Sequence, residues 1–226
     1  MENSSVRVLD TLKRVNTFGA AHTADFPAGS IGAAQFAKIA AAVTQTSNLG
    51  STQVSGKNTA HSAAMDKAAA RVSLRADLSA INHAAHSLAL MGTAGLDGKF
   101  QMPRGSGDQP LLNAARAFAT DAAAFSAQFI QLGLPAAFIT TLNADITALE
   151  TANTTKTGGV ETKAGATGGI AQTIHDATTA LHILDTVVKN AYVNNPTALA
   201  AWITASHVER PPQKTKATAP ATPPKV

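Results

Sequence analysis

Three rows of apolar residues recur along this chain at alternating spacings of four and three. Leu111, Ala115, Phe118, Ala122, Phe125, Phe129 and Leu132 form the first row. Ile170, Ile174, Ala177, Leu181, Leu184, Val188 and Ala191 form the second, and Leu74, Leu78, Ile81, Ala85 and Leu88 the third. Such spacing keeps apolar side chains on one narrow stripe of a helix, and a stripe of that kind is buried against other helices. No segment shows period-two alternation bounded by turns. The pattern predicts an all-α fold: an antiparallel helical bundle of two long helical hairpins with short N- and C-terminal helices.

The prolines act as punctuation. Pro27, Pro103, Pro110, Pro135 and Pro196 all fall between periodic segments, where a missing amide donor does little harm. A first helix is predicted over 5–17, with Val8, Leu12 and Val15 inward, and a second from about Ser30, using Phe36, Ile39 and Val43. The third covers 59–91. The fourth follows Pro110, with Asp108 as its cap, and stops at Gly133. The fifth starts at Pro135 and uses Phe138, Leu142, Ile146 and Leu149; the sixth covers 169–193. Asn195-Pro196 then reads as cap and first turn of a last helix burying Leu199, Trp202 and Ile203. Phe118, Phe125, Phe129, Leu181, Leu184 and Val188 are expected to share one core.

Two stretches rich in Ser, Thr, Asn and Gly, 44–58 and 151–169, are expected to interrupt the hairpins. Their matching positions suggest an internal duplication. An ordinary four-helix bundle also looks like two hairpins, so both readings stand.

Composition sharpens this picture. Aromatics are only 4% and charged residues 14%, and alanine and threonine fill the gap. Alanine favours helix and lets helices approach closely; threonine is a poorer helix former, which points to helices supported by packing. The net charge is +4. From His207 onward Arg210, Lys214, Lys216 and Lys225 stand against Glu209, a surplus of three that leaves the body at about +1. The basicity therefore belongs to a tail. Residues 210–226 hold no large apolar side chain before Val226, so this tail is expected to be disordered or extended, following a bundle domain over 1–209.

There is no cysteine, so disulfides and thiolate chemistry are excluded. The first nineteen residues lack the continuous apolar run of a secretory signal, and no window offers the roughly 20 apolar residues of a membrane span. A soluble, cytoplasmic protein without membrane association is the expectation.

Candidate chemistry begins with histidine. His83 and His86 lie three apart on the third predicted helix, and His182 and Asp185 three apart on the sixth. Facing one another, these four would make a divalent-metal site between helices. Against this, all three histidines fall beside the apolar rows, and none of the four glutamates is followed three residues later by His. The long connection over 92–110 is glycine-rich, with Lys99, Arg104, Asp108 and Gln109 as its polar candidates. It is no P-loop: the spacing from Gly92 to Gly98-Lys99 is one residue too long and Phe100 stands where Ser or Thr is required. No dinucleotide fingerprint, nucleophile elbow or triad spacing is present. No catalytic residue and no cofactor is assigned.

Three stretches resemble a group of bacterial all-helical proteins of about this length with a basic Pro/Lys-rich C-terminal tail: Phe100-Gln-Met-Pro-Arg, the run from Asp108 to Phe118, and the run from Asn194 to Arg210. The resemblance implies an all-helical fold and a bacterial source. It implies no activity, since none is assigned to that group, and no site residue.

The sequence thus points first to a non-enzymatic helical-bundle protein that binds a protein partner or itself, as a homo-oligomer. A nucleic-acid-associated protein using its basic tail, and a histidine-based metal-binding bundle, are the alternatives.

Overall fold

The computed structural model describes residues 3–96 and 98–209. The tail over 210–226, whose order was in question, lies outside the described residues. The described residues form six α-helices: α1 (Asn3–Ala21), α2 (Ile31–Leu90), α3 (Asp108–Ala122), α4 (Ser126–Gln131), α5 (Phe138–Ala191) and α6 (Pro196–Ser206). Two short 3-10 turns, Thr23–Asp25 and Ala123–Phe125, complete the set, and there is no strand among the described residues. The fold is all-α.

The two polar stretches do not interrupt the helices. Residues 44–58 lie inside α2, which runs for 60 residues, and 151–169 lie inside α5, which runs for 54. Neither stretch contains proline. Once both flanks are helical, extending through Ser, Thr and Asn costs less than about 1 kcal/mol per residue. The buried row passes through small residues at and beyond these stretches: Gly56, Ala63 and Ala70 on α2, and Ala152, Gly159 and Ala166 on α5, each seven apart. A row without large side chains is easily mistaken for a loop.

Two compact units divide the chain. One comprises Met1–Gly50 and Thr167–Val226, the other Ser51–Ala166. In the first, α1 packs along α6, and both cover the ends of α2 and α5 that belong to this unit. Its core holds Leu12, Val15, Phe18, Ile39, Leu184, Val188 and Trp202. Ser30 caps α2, its Oγ accepting the Ala33 amide at 3.1 Å. Asn195 caps α6 as the sequence predicts, its Oδ1 accepting from the Ala198 amide at 3.1 Å, with Pro196 in the first turn.

The second unit packs the rest of α2 and α5 with α3 and α4 around Leu74, Leu78, Ile81, Leu111, Phe118, Phe129, Leu142 and Leu149. Gly92 and Gly133 take positive φ and end α2 and α4. In each case the next amide reaches back five residues, Thr93 to the Leu88 carbonyl and Leu134 to that of Phe129.

The expected single core is therefore two clusters. Phe118, Phe129 and the half-buried Phe125 belong to one, and Leu181, Leu184 and Val188 to the other. Three further expectations change at element ends. Ile203 is 54% exposed, because Trp202 fills the inward stripe of α6 and the next residue is turned about 100° away. Leu132 is 38% exposed, because α4 ends at Gln131 and the row stops with the buried Phe129. Ala191 is exposed, and Tyr192 takes the buried place beyond it.

Candidate functional site

The four metal candidates are split between the units. His83 and His86 are exposed on the part of α2 in the second unit; His182 is exposed and Asp185 half-buried on the part of α5 in the first. Among the described residues no group of three or more His, Asp or Glu side chains is placed to hold a metal ion. Asp185 has a different task. Its Oδ1 accepts the Trp202 indole N–H at 3.1 Å, and its Oδ2 accepts from Lys189 Nζ at 2.7 Å. Burial pushes this carboxyl up, but the hydrogen bonds from Lys189 and Trp202 and the charges of Lys189 and His182 outweigh it and hold it below the usual aspartate range.

The 92–110 connection is strapped to α2 by one face of that helix. Arg71 Nη2 donates to the Ser106 carbonyl at 2.5 Å, Arg75 Nη2 to that of Gly105 at 2.7 Å, and Asn82 Nδ2 to that of Phe100 at 2.6 Å. Asp108 lies in the first turn of α3 rather than at its cap, which is Gly107. It pairs with Lys67 and with Arg71, the latter at 2.5 Å. The Lys67 hydrogen bond, helped by both positive charges, holds its carboxyl low. Leu96 and Phe100 are buried, and the Phe100 ring meets those of Phe118 and Phe129 edge-on at 5.2 and 5.6 Å. Lys99 Nζ lies 6.0 Å from the Phe125 ring centre, Gln109 bonds Asn113 on α3, and Arg104 is exposed. The connection acts as a plug and strap. Of its polar candidates, Asp108 is the one that holds the connection to α2.

A pair that sequence reading did not single out lies between α2 and α5 in the second unit. Asp77 and Asp145 meet there, and Asp77 Oδ2 is buried without a hydrogen-bond partner. A small cavity of about 80 Å³ adjoins Asp77, lined also by Ile81, Leu134, Pro135 and Phe138. Burial, followed by the charge of and hydrogen bond with Asp145, pushes the Asp77 carboxyl up to about 6. The signal was present: Asp77 is three residues after Leu74, and Asp145 three after Leu142, so each lies on the flank of a buried row.

In the first unit Asp25 is the hub of an aromatic corner. Its Oδ2 accepts from Tyr192 Oη at 2.5 Å and lies 3.2 Å from His22 Nδ1. The Tyr192 and His22 hydrogen bonds lower the Asp25 carboxyl, while burial and Asp25 itself raise the Tyr192 phenol. The His22 ring stacks on Phe18 at 4.3 Å. With its hydroxyl committed to Asp25, Tyr192 ties the corner after α1 to the end of α5. Two open grooves complete this unit. One of about 310 Å³ has Lys38, Gln45, Gln172 and Asp176 around Ala42 and Ala177. The other, about 450 Å³, is lined by Arg14, Ile203, Thr204, His207 and Glu209. There Arg14 Nη2 donates to the His207 carbonyl at 2.6 Å, fixing the chain after α6 to α1.

No protein family, curated protein or solved structure matches this chain.

Proposed function

We propose that this is a non-enzymatic helical protein that acts by association, with itself as the first partner. One observation carries the reading. The best-placed polar groups, Asp25, Asp108 and Asp185, are engaged in holding the chain's own helices and turns, whereas large apolar side chains stand in water along α2. Val54, Met65, Val72 and Leu90 of that helix are all more than half exposed, as is Met91 just beyond its end.

Light scattering over a wide range of concentration tests this. A particle heavier than the 23.0 kDa chain is expected; a constant monomer would defeat the self-assembly reading. Nucleic acid is a second reading, carried by Arg210, Lys214, Lys216 and Lys225. It requires weak, sequence-insensitive retention on DNA that falls steeply with salt. No helix among the described residues is long and apolar enough to cross a membrane, which agrees with partners met in water.

A further inference from the structure

Asp77 and Asp145 come within hydrogen-bonding reach of each other between α2 and α5 in the second unit. Ionised carboxylates only accept hydrogen bonds, so two of them join only while one carries a proton. The surroundings press the same way. Asp77 Oδ2 is buried and no donor faces it, so ionisation would strand a charge there. Arg75, the cation nearest in sequence, is bonded to the Gly105 carbonyl. Around the adjoining cavity, Ala80 and Ile81 on α2, Leu134 and Pro135 before α5, and Phe138 and Thr141 at its start carry no charge. Among the described residues the charge acting on Asp77 is that of Asp145, and it is of like sign.

The walls of that cavity are unequal. Two are the long helices α2 and α5. The third is the corner over 132–137, between α4 and α5, where Gly133 takes a positive φ. α4 has six residues and one buried side chain, Phe129, and Pro135, Ala136 and Ala137 are exposed. A segment that buries so little apolar surface opens at a fraction of the cost of unfolding the unit. Lifting it brings water to Asp77 without breaking either long helix.

We propose that the Asp77–Asp145 pair is a proton-operated latch: sharing a proton, it keeps this corner closed over Asp77, and with both carboxyls ionised the corner opens locally, admits water and uncovers Ile81.

The sign of the response follows from the Asp77 carboxyl, which burial and then Asp145 raise from 3.8 to about 6. The latch is complete below the ordinary value of 3.8 and is released as pH rises through about 6.

Amide hydrogen exchange, corrected for the intrinsic effect of pH on exchange, reads the latch segment by segment. The reporters are the amides over 134–142, among them Leu134 and Thr141, bonded to the carbonyls of Phe129 and Ala137. In the intact chain their protection should fall roughly fiftyfold between about pH 4 and about pH 8, as the rise from 3.8 to about 6 requires. Amides of α3, in the same unit, should keep theirs. Asp77→Asn should abolish the pH dependence over 134–142, and Asp145→Asn should reduce it, since burial still acts on Asp77. Protection there that does not change with pH overturns the latch, as does a change that survives Asp77→Asn. A fall shared equally by α3 means that the whole unit loosens, and it overturns the local opening even though Asp77 titrates.

Discussion

A methyl group built on Gly159 of α5 would stand 2.9 Å from the carbonyl oxygen of Gly56 on α2, and one on Gly56 would stand 2.8 Å from the carbonyl oxygen of Gly159. The two helices touch here backbone to backbone. Replacing either glycine with alanine would force apart main chains rather than a flexible side chain. Gly159→Ala is expected to destabilise by about 1–3 kcal/mol, read by urea denaturation. Gly158→Ala meets nothing within 4 Å and should stabilise by about 0.5–1 kcal/mol through the better helix propensity of alanine. Equal effects at the two neighbours would show that the close contact does not exist.

The strap over 92–110 depends on Phe100, which is 1% exposed against Phe118 and Phe129. Phe100→Ala should lower stability by about 3–5 kcal/mol. Lys99→Ala removes only a surface cation beside Phe125 and should cost under about 1 kcal/mol. A loop that tolerates the loss of Phe100 would not be the plug described.

Asp77 gives a pH signature of definite sign. Its carboxyl is raised to about 6 in the folded chain, so the folded state binds the proton more tightly than the unfolded one. The resulting stability is complete below the unfolded value near 3.8 and is lost as pH rises through about 6. Asp77→Asn should remove this slope and raise the melting temperature at pH 7 relative to the parent. If both proteins show the same slope between pH 4 and 7, the Asp77–Asp145 pair does not titrate as described.

Thr46 is fully buried in the first unit, and its hydroxyl has no hydrogen-bond partner. Valine has the same shape without the polar group. Thr46→Val should stabilise by about 1 kcal/mol, measured by the denaturation midpoint. A loss of stability would reveal a hydrogen bond to that hydroxyl.

Trp202 is the single tryptophan, and its indole N–H is bonded to Asp185. Asp185→Ala should red-shift or broaden the fluorescence of the folded protein and cost about 1–3 kcal/mol, as one buried donor loses its partner. An unchanged spectrum and stability would place the indole elsewhere.

The all-α class, the buried rows through Leu74, Leu142 and Leu184 and the cap at Asn195-Pro196 were legible in the sequence, because each follows from helical period or from residues next to one another. The continuity of α2 and α5 was not. Over 44–58 and 151–169 the inward positions are filled by glycine, alanine and threonine, which carry little apolar signal yet permit backbone-to-backbone contact of the helices at Gly56 and Gly159. Nor could the sequence say that Phe118 and Leu184 belong to different cores, that His83 and His182 fall in different units, or that Asp77 meets Asp145. A helical row specifies which face is buried, since that depends only on about 3.6 residues per turn. It leaves open which other row covers that face, because apolar stripes are interchangeable in chemistry and are told apart only by side-chain volume, strap and turn once the chain has packed.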